Sequence, residues 1–336
     1  MANKIEKNNK KTFFAKTLQS YGLVVMIAVM IAIFTILNKN FLTLSNFQNV
    51  IEQNAALAIV AVGITFCIIS TAMDLSPASV IALTGVIIAM VFRDSGNLPL
   101  ALVAGVLVPM CIGVFNGILI TKIGINPVIV TLAAYIWARG LALALTEKDS
   151  IVIQSPFINF MNQRIFGLIS PPMILVVTMY ILGFVLLYRT RLGRYTYAIG
   201  GGEQAARQAG IPVDLYKIFI FLLSGFLVGI GAIITISRMG AAQPNAVYGL
   251  ELDAIAAVII GGTNLKGGEG GIRQTIIGVI FLAFLNNGLS TLGLRDASFY
   301  FYKGMVILFA LLFEVTSKQM LIQIAADATA GLEEGA

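Results

Sequence analysis

Acidic residues within or beside apolar stretches are the first candidates for chemistry. Asp74, Asp253 and Glu314 are of this kind, and the chain contains no histidine. Two aspartates at membrane depth could form an aspartyl pair, but no Gly-x-Gly-Asp motif accompanies them. The missing histidine excludes a Ser–His dyad and removes the commonest general base and transition-metal ligand. The sequence therefore argues against an intramembrane enzyme, and we expect no metal site and no cofactor.

Asp74 heads the segment DLSPASVIALTG, which lies between two apolar stretches. Pro77 suits the first turn of a helix, and Ser76 is placed to cap that helix. A helix that begins within the membrane offers free N–H groups to a polar solute. Asp74 and Ser76 are therefore candidates for the lining of a solute path, and the alternative is a water-exposed cap at the membrane surface.

Polar side chains inside apolar stretches are further candidates. Asn116, Asn286 and Asn287 could line a path for a hydroxyl-rich solute, although hydrogen bonding between helices is the commoner role of a single asparagine there. Arg139 and Lys303 are expected either to extend towards the membrane surface or to pair with a carboxylate such as Asp253 or Glu314. The sequence does not choose between these partners.

The glycine-rich segment GGTNLKGGEGG at residues 261–271 is superficially similar to a phosphate-binding loop. It lacks the Gly-Lys-Ser/Thr ending of a P-loop, and that ending occurs nowhere in the chain. We expect a turn between membrane segments. Any use of ATP must then come from another polypeptide.

The elements that position these residues follow from composition. Of the 336 residues, 58% are hydrophobic and only 11% are charged, whereas soluble domains carry about 25% charged residues. This composition predicts an all-α polytopic membrane protein. The net charge of +6 does not require nucleic acid, because the cytoplasmic loops of membrane proteins are rich in lysine and arginine.

Apolar stretches predict about ten membrane segments. The stretch 252–262 is too short to span and is expected to be a short or broken helix, so a count of eight or nine with a re-entrant loop stays open. The stretches are 21–37, 54–73, 77–92, 98–121, 126–145, 171–188, 215–237, 252–262, 272–292 and 299–316. We expect residues 21–316 to form one transmembrane domain between the tails 1–20 and 317–336.

Charge distribution sets the expected topology. The lysine-rich tail, and an excess of lysine and arginine in alternate loops, place both termini in the cytoplasm. A weak internal repeat pairs Asn116-Gly117 with Asn287-Gly288, and Arg139-Gly140 with Lys303-Gly304. Five segments per half would form an inverted repeat, an architecture found in transporters. Chance is the alternative, since Gly and Asn are common in packed membrane helices.

A polar loop at residues 189–217 separates the two predicted halves. Its charges cannot lie in the hydrocarbon core. The stretch Glu203–Gly210, EQAARQAG, has a helical composition, and Gly210 followed by Ile211-Pro212 is a typical helix stop. We expect a short helix at the cytoplasmic face, either an ordinary solvated helix or a docking element for a soluble partner.

Four stretches together are similar to one known family. They are DLSPASVIALTG, TRLGRYTYAIGGGEQAARQAGI, AAQPNAVYGLELDAIAAVIIGGTNLKGGEGG and FLNNGLSTLGL. The chain resembles the permease subunits of bacterial ABC importers for monosaccharides, the ribose, xylose, arabinose and galactose group, and the ribose members in particular. The resemblance extends from about Tyr21 to Glu314.

The resemblance implies a location, a set of partners and a role for the polar loop. The location is the bacterial inner membrane, and the partners are an ATP-binding cassette ATPase, a periplasmic or lipid-anchored sugar-binding protein, a second permease copy and membrane lipid. It also implies that a coupling helix seats in a cleft on the ATPase. That helix corresponds here to Glu203, Ala205, Ala206 and Gly210.

The chain departs from the family pattern at two places. The usual Gly-Gly-Asn-Glu is Gly201-Gly202-Glu203-Gln204, at the start of the segment that corresponds to the coupling helix. The usual Gly-Ile-Asp-Leu-Ser-Val-Gly-Ser is AMDLSPAS at residues 72–79, close to the predicted solute path, so the resemblance does not specify ribose as the sugar. The alternative function is a secondary transporter driven by protons or sodium, a class that normally needs buried ionisable residues.

Overall fold

The structure is a computed structural model that describes residues 22–294 and 296–333; the side chains of 296, 314 and 317–333 are not described. In this part of the chain fourteen helices form. The first is α1 (Gly22–Leu37). It is followed by α2 (Leu44–Gln53), α3 (Ala55–Ile69), α4 (Pro77–Ser95), α5 (Leu98–Thr121), α6 (Pro127–Thr146), α7 (Pro156–Met161), α8 (Pro171–Arg189), α9 (Arg191–Gly201), α10 (Glu203–Gln208), α11 (Val213–Met239), α12 (Leu250–Ile260), α13 (Ile272–Thr291) and α14 (Asp296–Glu333).

The all-α prediction is confirmed apart from one short pair of strands. Strand β1 (Ile151–Val152) pairs antiparallel with β2 (Ala241–Ala242). Among the described residues, six helices are long and apolar enough to cross a membrane, or seven if the bent pair α2 and α3 is one span. The helices α1 and α12 and the apolar part of α14 are shorter. The predicted ten segments therefore exceed the number that length and composition establish within the described residues.

The described chain divides into two compact units, Leu44–Val279 and the described parts of Met1–Thr43 with Ile280–Ala336. In the smaller unit, aromatic rings pack in the series Phe34, Phe41 and Phe284, with centroids 5.3 and 6.1 Å apart. The predicted tail 1–20 lies outside the described residues, and residues 317–333 continue α14 as a helix.

Helix α3 is the centre of the larger unit, because every one of its fifteen residues is buried. Its apolar side chains pack with those of α8 and α11 in one core that includes Phe66, Leu187 and Leu227. Small residues let α11 approach α5 closely. A Cβ atom at Gly113 would overlap the carbonyl oxygen of Phe221, and one at Gly225 would overlap that of Pro109. Such contacts replace the hydrophobic effect as the source of helix association in a membrane.

Prolines mark the starts of helices along the unit. Pro77, Pro127, Pro156 and Pro171 each occupy the first turn, where the missing N–H would have no helical partner. The stretch that follows α7 is fastened to α2 by Arg164. Its guanidinium contacts Glu52 at 2.9 Å and also donates to Gln48 and Asn49. These interactions fix the connection from α7 to α8.

Candidate functional site

Asp74 lies in the non-helical segment between α3 and α4, and its side chain is buried, with 4% of the residue exposed. One carboxylate oxygen accepts hydrogen bonds from the backbone N–H and the hydroxyl of Ser76, at 3.0 and 2.6 Å. The other accepts from the hydroxyl of Ser224 on α11, at 3.1 Å. Three neutral donors therefore hold a buried carboxylate in one position.

The structure brings Asp74 and Ser76 together, as the sequence predicted, but changes the role of Ser76. Ser76 occupies the N-cap position of α4, yet its side chain makes no capping hydrogen bond. Its hydroxyl donates to Asp74 instead. The predicted capping interaction is wrong because Ser76 has helical φ and ψ angles of −82° and −20°, not the extended backbone typical of a capping residue, and its oxygen accepts no bond from the first turn.

Sequence reasoning missed Ser224 as a partner of Asp74. Ser224 lies within the apolar helix α11, 150 residues away along the chain. A lone serine in a membrane helix usually bonds to its own backbone, so the sequence carried no signal for this contact. Only the packing of α11 beside α3 places it here.

A cavity of about 200 Å³ lies close to this segment of the chain. It is bordered by Thr71 and Met73 before α4, by the start of α6, and by Leu265 of the glycine-rich loop. Its lining residues are Ile68, Thr71, Met73, Asn126, Pro127, Val128 and Leu265. Asp74 is not among them, so the carboxylate does not open directly into this space.

The predicted asparagines lie in different units. Asn116 on α5 is 1% exposed, and neither its amide nitrogen nor its amide oxygen has a hydrogen-bond partner in the described chain. Asn286 and Asn287 lie on α13 in the other unit, where Asn287 is buried. The buried, unsatisfied amide of Asn116 needs a polar partner, which is consistent with a polar path.

The polar loop 189–217 folds into α9, α10 and the start of α11. The predicted short helix is confirmed as α10, Glu203–Gln208, and Gly210 ends it with a φ of +80°. A network of charges holds α10 in place. Glu203 contacts Lys217 at 2.6 Å and Arg207 at 3.0 Å, and Arg207 also pairs with Asp214.

The network reaches one further helix, since Lys122 after α5 contacts Asp214 at 2.9 Å. Partial burial acts to raise the pKa of Glu203, but hydrogen bonds and charge from Lys217 and Arg207 outweigh it. The pKa of Glu203 is therefore lowered. Hydrogen bonds to Asp214 and Glu203 raise the pKa of Arg207. These ion pairs connect α10 to the C-terminal end of α5 and the N-terminal end of α11.

The residues that the resemblance assigns to the coupling helix differ in exposure. Ala205 and Gly210 are exposed, whereas Ala206 is 4% exposed and packs with Ile199 and Val213. Glu203 uses both carboxylate oxygens within the chain. The outward face of α10 is therefore formed by Ala205 and its exposed neighbours, and Ala206 anchors the helix from beneath.

The glycine-rich loop 261–271 docks beside this segment. The N–H of Gly268 donates to the carbonyl of Ile69 at 2.9 Å, and the hydroxyl of Tyr197 on α9 donates to the carbonyl of Gly270 at 2.6 Å. A Cβ atom at Gly200 would overlap the Ile69 carbonyl oxygen. The predicted turn is confirmed, and it links the end of α3 to α9.

Arg139 is buried on α6, and its guanidinium makes its hydrogen bonds inside the protein. Its guanidinium donates to the hydroxyl of Ser79 and to the backbone carbonyls of Pro244 and Ala246. Its electrostatic neighbours are Tyr135, Glu251 and Tyr248, so the described carboxylate beside it is Glu251 and not Asp253. The side chain of Glu314 lies outside the described residues. Lys303 lies 5.7 Å from the ring centre of Phe299. Among the described residues, no three acidic, cysteine or histidine side chains group as metal ligands do.

Comparison with known proteins decides the family. Residues 46–311 match the family described as branched-chain amino acid transport system, permease component. The chain belongs to this permease family. The resemblance drawn from the sequence motifs is confirmed, and the family's members are transport components.

Curated relatives cover almost the full length of this permease. The ribose import permease protein of Escherichia coli strain K12 is 37% identical, over 90% of this chain and 96% of the relative. The ribose import permease protein of Bacillus subtilis strain 168 is 38% identical, over 92% and 97%. The L-arabinose transport system permease protein of E. coli K12 is 37% identical, over 90% and 92%. No solved structure shows a significant match.

Proposed function

We propose that this permease is the membrane subunit of an ABC importer that translocates a monosaccharide, a ribose-like pentose or a hexose. The observation that supports this most strongly is near-full-length similarity to permeases named for ribose and L-arabinose. The family description names branched-chain amino acids. We favour a sugar because several near-full-length relatives, including one named for D-allose, are named for sugars.

The proposed topology has about ten membrane segments and both termini in the cytoplasm of a bacterium, with the protein in the inner membrane. The short helices α1 and α12 and the apolar part of α14 would then supplement the longer spans. A five-plus-five inverted repeat is part of the proposal. In this topology α10 lies on the cytoplasmic side, and the strand pair β1 and β2 lies on the outer side.

The proposed working unit contains two permease copies, a separate ATPase and an external sugar-binding protein. The ATPase would seat on the outward face of α10, where Ala205 is exposed and small. Motion of α10 would pass to α5 and α11 through the ion pairs at Asp214, Lys122 and Lys217. Coupling needs such a physical connection between the ATPase and the spans.

The proposed translocation path includes Asp74, Ser76, Asn116, Asn286 and Asn287. Asn116 supports it best, since its buried amide has no partner in the described chain. An ion-coupled secondary transporter is the second candidate. The observation that favours it is Asp74, a buried carboxylate held by neutral donors, which is a suitable group to carry a proton.

Uptake into proteoliposomes tests the proposal. The permease would be reconstituted alone, and with the ATPase and binding protein of its own importer, then supplied with labelled D-ribose, L-arabinose or D-allose. We expect uptake only when all components and ATP are present. Uptake by the permease alone, driven by a proton or sodium gradient, would instead establish the secondary transporter.

The docking face of α10 is tested by Ala205→Trp. We expect the variant to fold normally, because Ala205 is exposed, and to lose ATPase binding in a pull-down from detergent. The matched control is Ala297→Trp, at another exposed alanine in the described chain, which should leave ATPase binding unchanged. Normal ATPase binding by Ala205→Trp would show that the ATPase docks elsewhere.

A further inference from the structure

Four polar side chains form a cluster in the larger unit, between the second half of α6 and the start of α12. They are Tyr135 and Arg139 on α6, Tyr248 in the segment after β2, and Glu251 in the first turn of α12. Tyr135 interacts with Tyr248, Glu251 and Arg139, and Arg139 also interacts with Glu251. We call these four residues the α6–α12 cluster.

Arg139 is only partly satisfied within this cluster. It is 8% exposed, and Nη1 donates to the carbonyls of Pro244 and Ala246 at 2.7 and 3.1 Å. Its Nε donates weakly to Ser79, at 3.3 Å. All three acceptors are uncharged, and Nη2 is buried without a hydrogen-bond partner in the described chain. One nitrogen of a buried guanidinium therefore lacks the polar partner that it needs.

Glu251 contributes a buried acceptor that lacks a donor. It is 6% exposed, and its Oε2 is buried without a hydrogen-bond partner in the described chain. Gly249, with a φ of +82°, turns the chain just before it. A buried donor and a buried acceptor that both lack partners are costly to a fold, and such groups in a membrane protein mark solute or ion pathways.

The two tyrosines give the cluster an open side. Tyr248 is 68% exposed and Tyr135 is half-buried, whereas Arg139 and Glu251 lie beneath them. The Tyr248 side is therefore the exposed side of the cluster. Arginine offers donors, glutamate offers acceptors, and a tyrosine hydroxyl offers both. This combination matches a molecule in which every hydroxyl both donates and accepts.

We propose that the α6–α12 cluster is a transient binding site for the hydroxyl groups of a neutral sugar. The unpaired Nη2 of Arg139 donates to one sugar oxygen, and Oε2 of Glu251 accepts from a neighbouring hydroxyl. Tyr248 forms the entrance. The inference deepens the proposed function and rests on it, and the proposed topology places this cluster in the outer half of the membrane.

A purely structural role is the competing explanation. Arg139 fastens residues 244–246 to α6 and α4, so its loss could loosen that segment without any contact to solute. Such an effect would lower uptake of every sugar equally. A binding role would change the preference among sugars, because each deoxy analogue lacks a particular hydroxyl.

The test measures sugar preference in proteoliposomes that hold the complete importer. The labelled probes are D-ribose, L-arabinose and D-allose, each compared with a deoxy analogue. For Glu251→Gln and Tyr248→Phe we expect the ratio of uptake between sugar and analogue to fall by roughly three- to tenfold, the effect of one lost hydrogen bond. The same binding protein is used throughout, so any change in the ratio belongs to the permease.

Two controls separate the outcomes. Tyr300→Phe removes another exposed tyrosine hydroxyl, on α14, and should leave the ratio unchanged. The thermal midpoint in detergent reports folding, and Tyr248→Phe keeps the test valid if Glu251→Gln unfolds, because Tyr248 is exposed. An unchanged ratio, or an equal loss for sugar and analogue, would overturn this inference while wild-type uptake still upheld the proposed function. Failure of the wild type to take up any sugar would instead contradict the proposed function.

Discussion

The ammonium of Lys217 lies 2.6 Å from Oε2 of Glu203, so the first turns of α11 hold the start of α10. The Lys217 side chain is 7% exposed, whereas that of Glu203 is 38% exposed. The pair therefore joins a partly solvated carboxylate to a buried cation. Replacement of Glu203 by a neutral residue leaves the buried charge of Lys217 without a partner, and the resulting loss of stability can be measured.

Glu203→Gln should destabilise the permease by about 1–2 kcal/mol, since solvent screens part of the interaction while Lys217 stays buried. The midpoint of thermal unfolding in detergent would report the change. Gln204→Glu, at the exposed neighbouring position, is the control and should have little effect. If both variants unfold at the wild-type midpoint, the ion pair does not support α10.

The pH dependence of stability should carry the signature of Glu203. Because the pKa of this carboxyl is lowered in the folded chain, its contribution is complete above the unfolded value of about 4.5 and disappears as pH falls through the folded value. The stability difference between wild type and Glu203→Gln should therefore be constant near neutral pH and shrink in acid. A difference that grew on acidification would contradict this assignment.

Gly210→Ala should cost about 1 kcal/mol through backbone strain alone. Gly210 has a φ of +80°, and a Cβ atom there would meet nothing within 4 Å. Gly201→Ala is the matched control, because that position is equally open but lacks a positive φ. Chemical denaturation gives the free energy of unfolding of the two variants, and their difference reports backbone strain without a change in packing. Equal free energies would show that the left-handed turn is not required.

The close approach of α5 and α11 should not tolerate a methyl group. Gly113→Ala places Cβ against the backbone carbonyl of Phe221, which cannot move as a side chain does. We expect a loss of about 2–3 kcal/mol and reduced yield of folded permease by size-exclusion chromatography. Gly140→Ala, inside α6 with open space around it, should behave as wild type. Similar behaviour of the two variants would contradict the packing described for α5 and α11.

Asp74→Ala should be strongly destabilising, because it removes the acceptor of three hydrogen bonds that join the start of α4 to α11. A loss of about 2–4 kcal/mol is expected in chemical denaturation. Asp94→Ala removes a carboxylate whose ion pair with Arg93 is exposed, and it should change stability little. A mild effect of Asp74→Ala would mean that these bonds are replaced by others.

Local sequence features predicted the membrane helices of this protein and some of their boundaries. Apolar length and low charge predicted membrane helices, because backbone groups in lipid must bond within their own segment. Pro77 predicted where α4 begins, and Gly210 predicted the end of α10. Each of these effects acts within a few residues, so the sequence displays it directly.

Tertiary structure decided the interactions between residues distant in sequence. The sequence could not pair Asp74 with Ser224, 150 residues away, or choose Glu251 over Asp253 as the neighbour of Arg139. It also could not reveal that Ala206 faces inward while Ala205 faces outward. These contacts depend on which face each helix turns to its neighbours. Helices that are apolar on all sides carry little periodic signal for that choice, so close packing of small residues decides it.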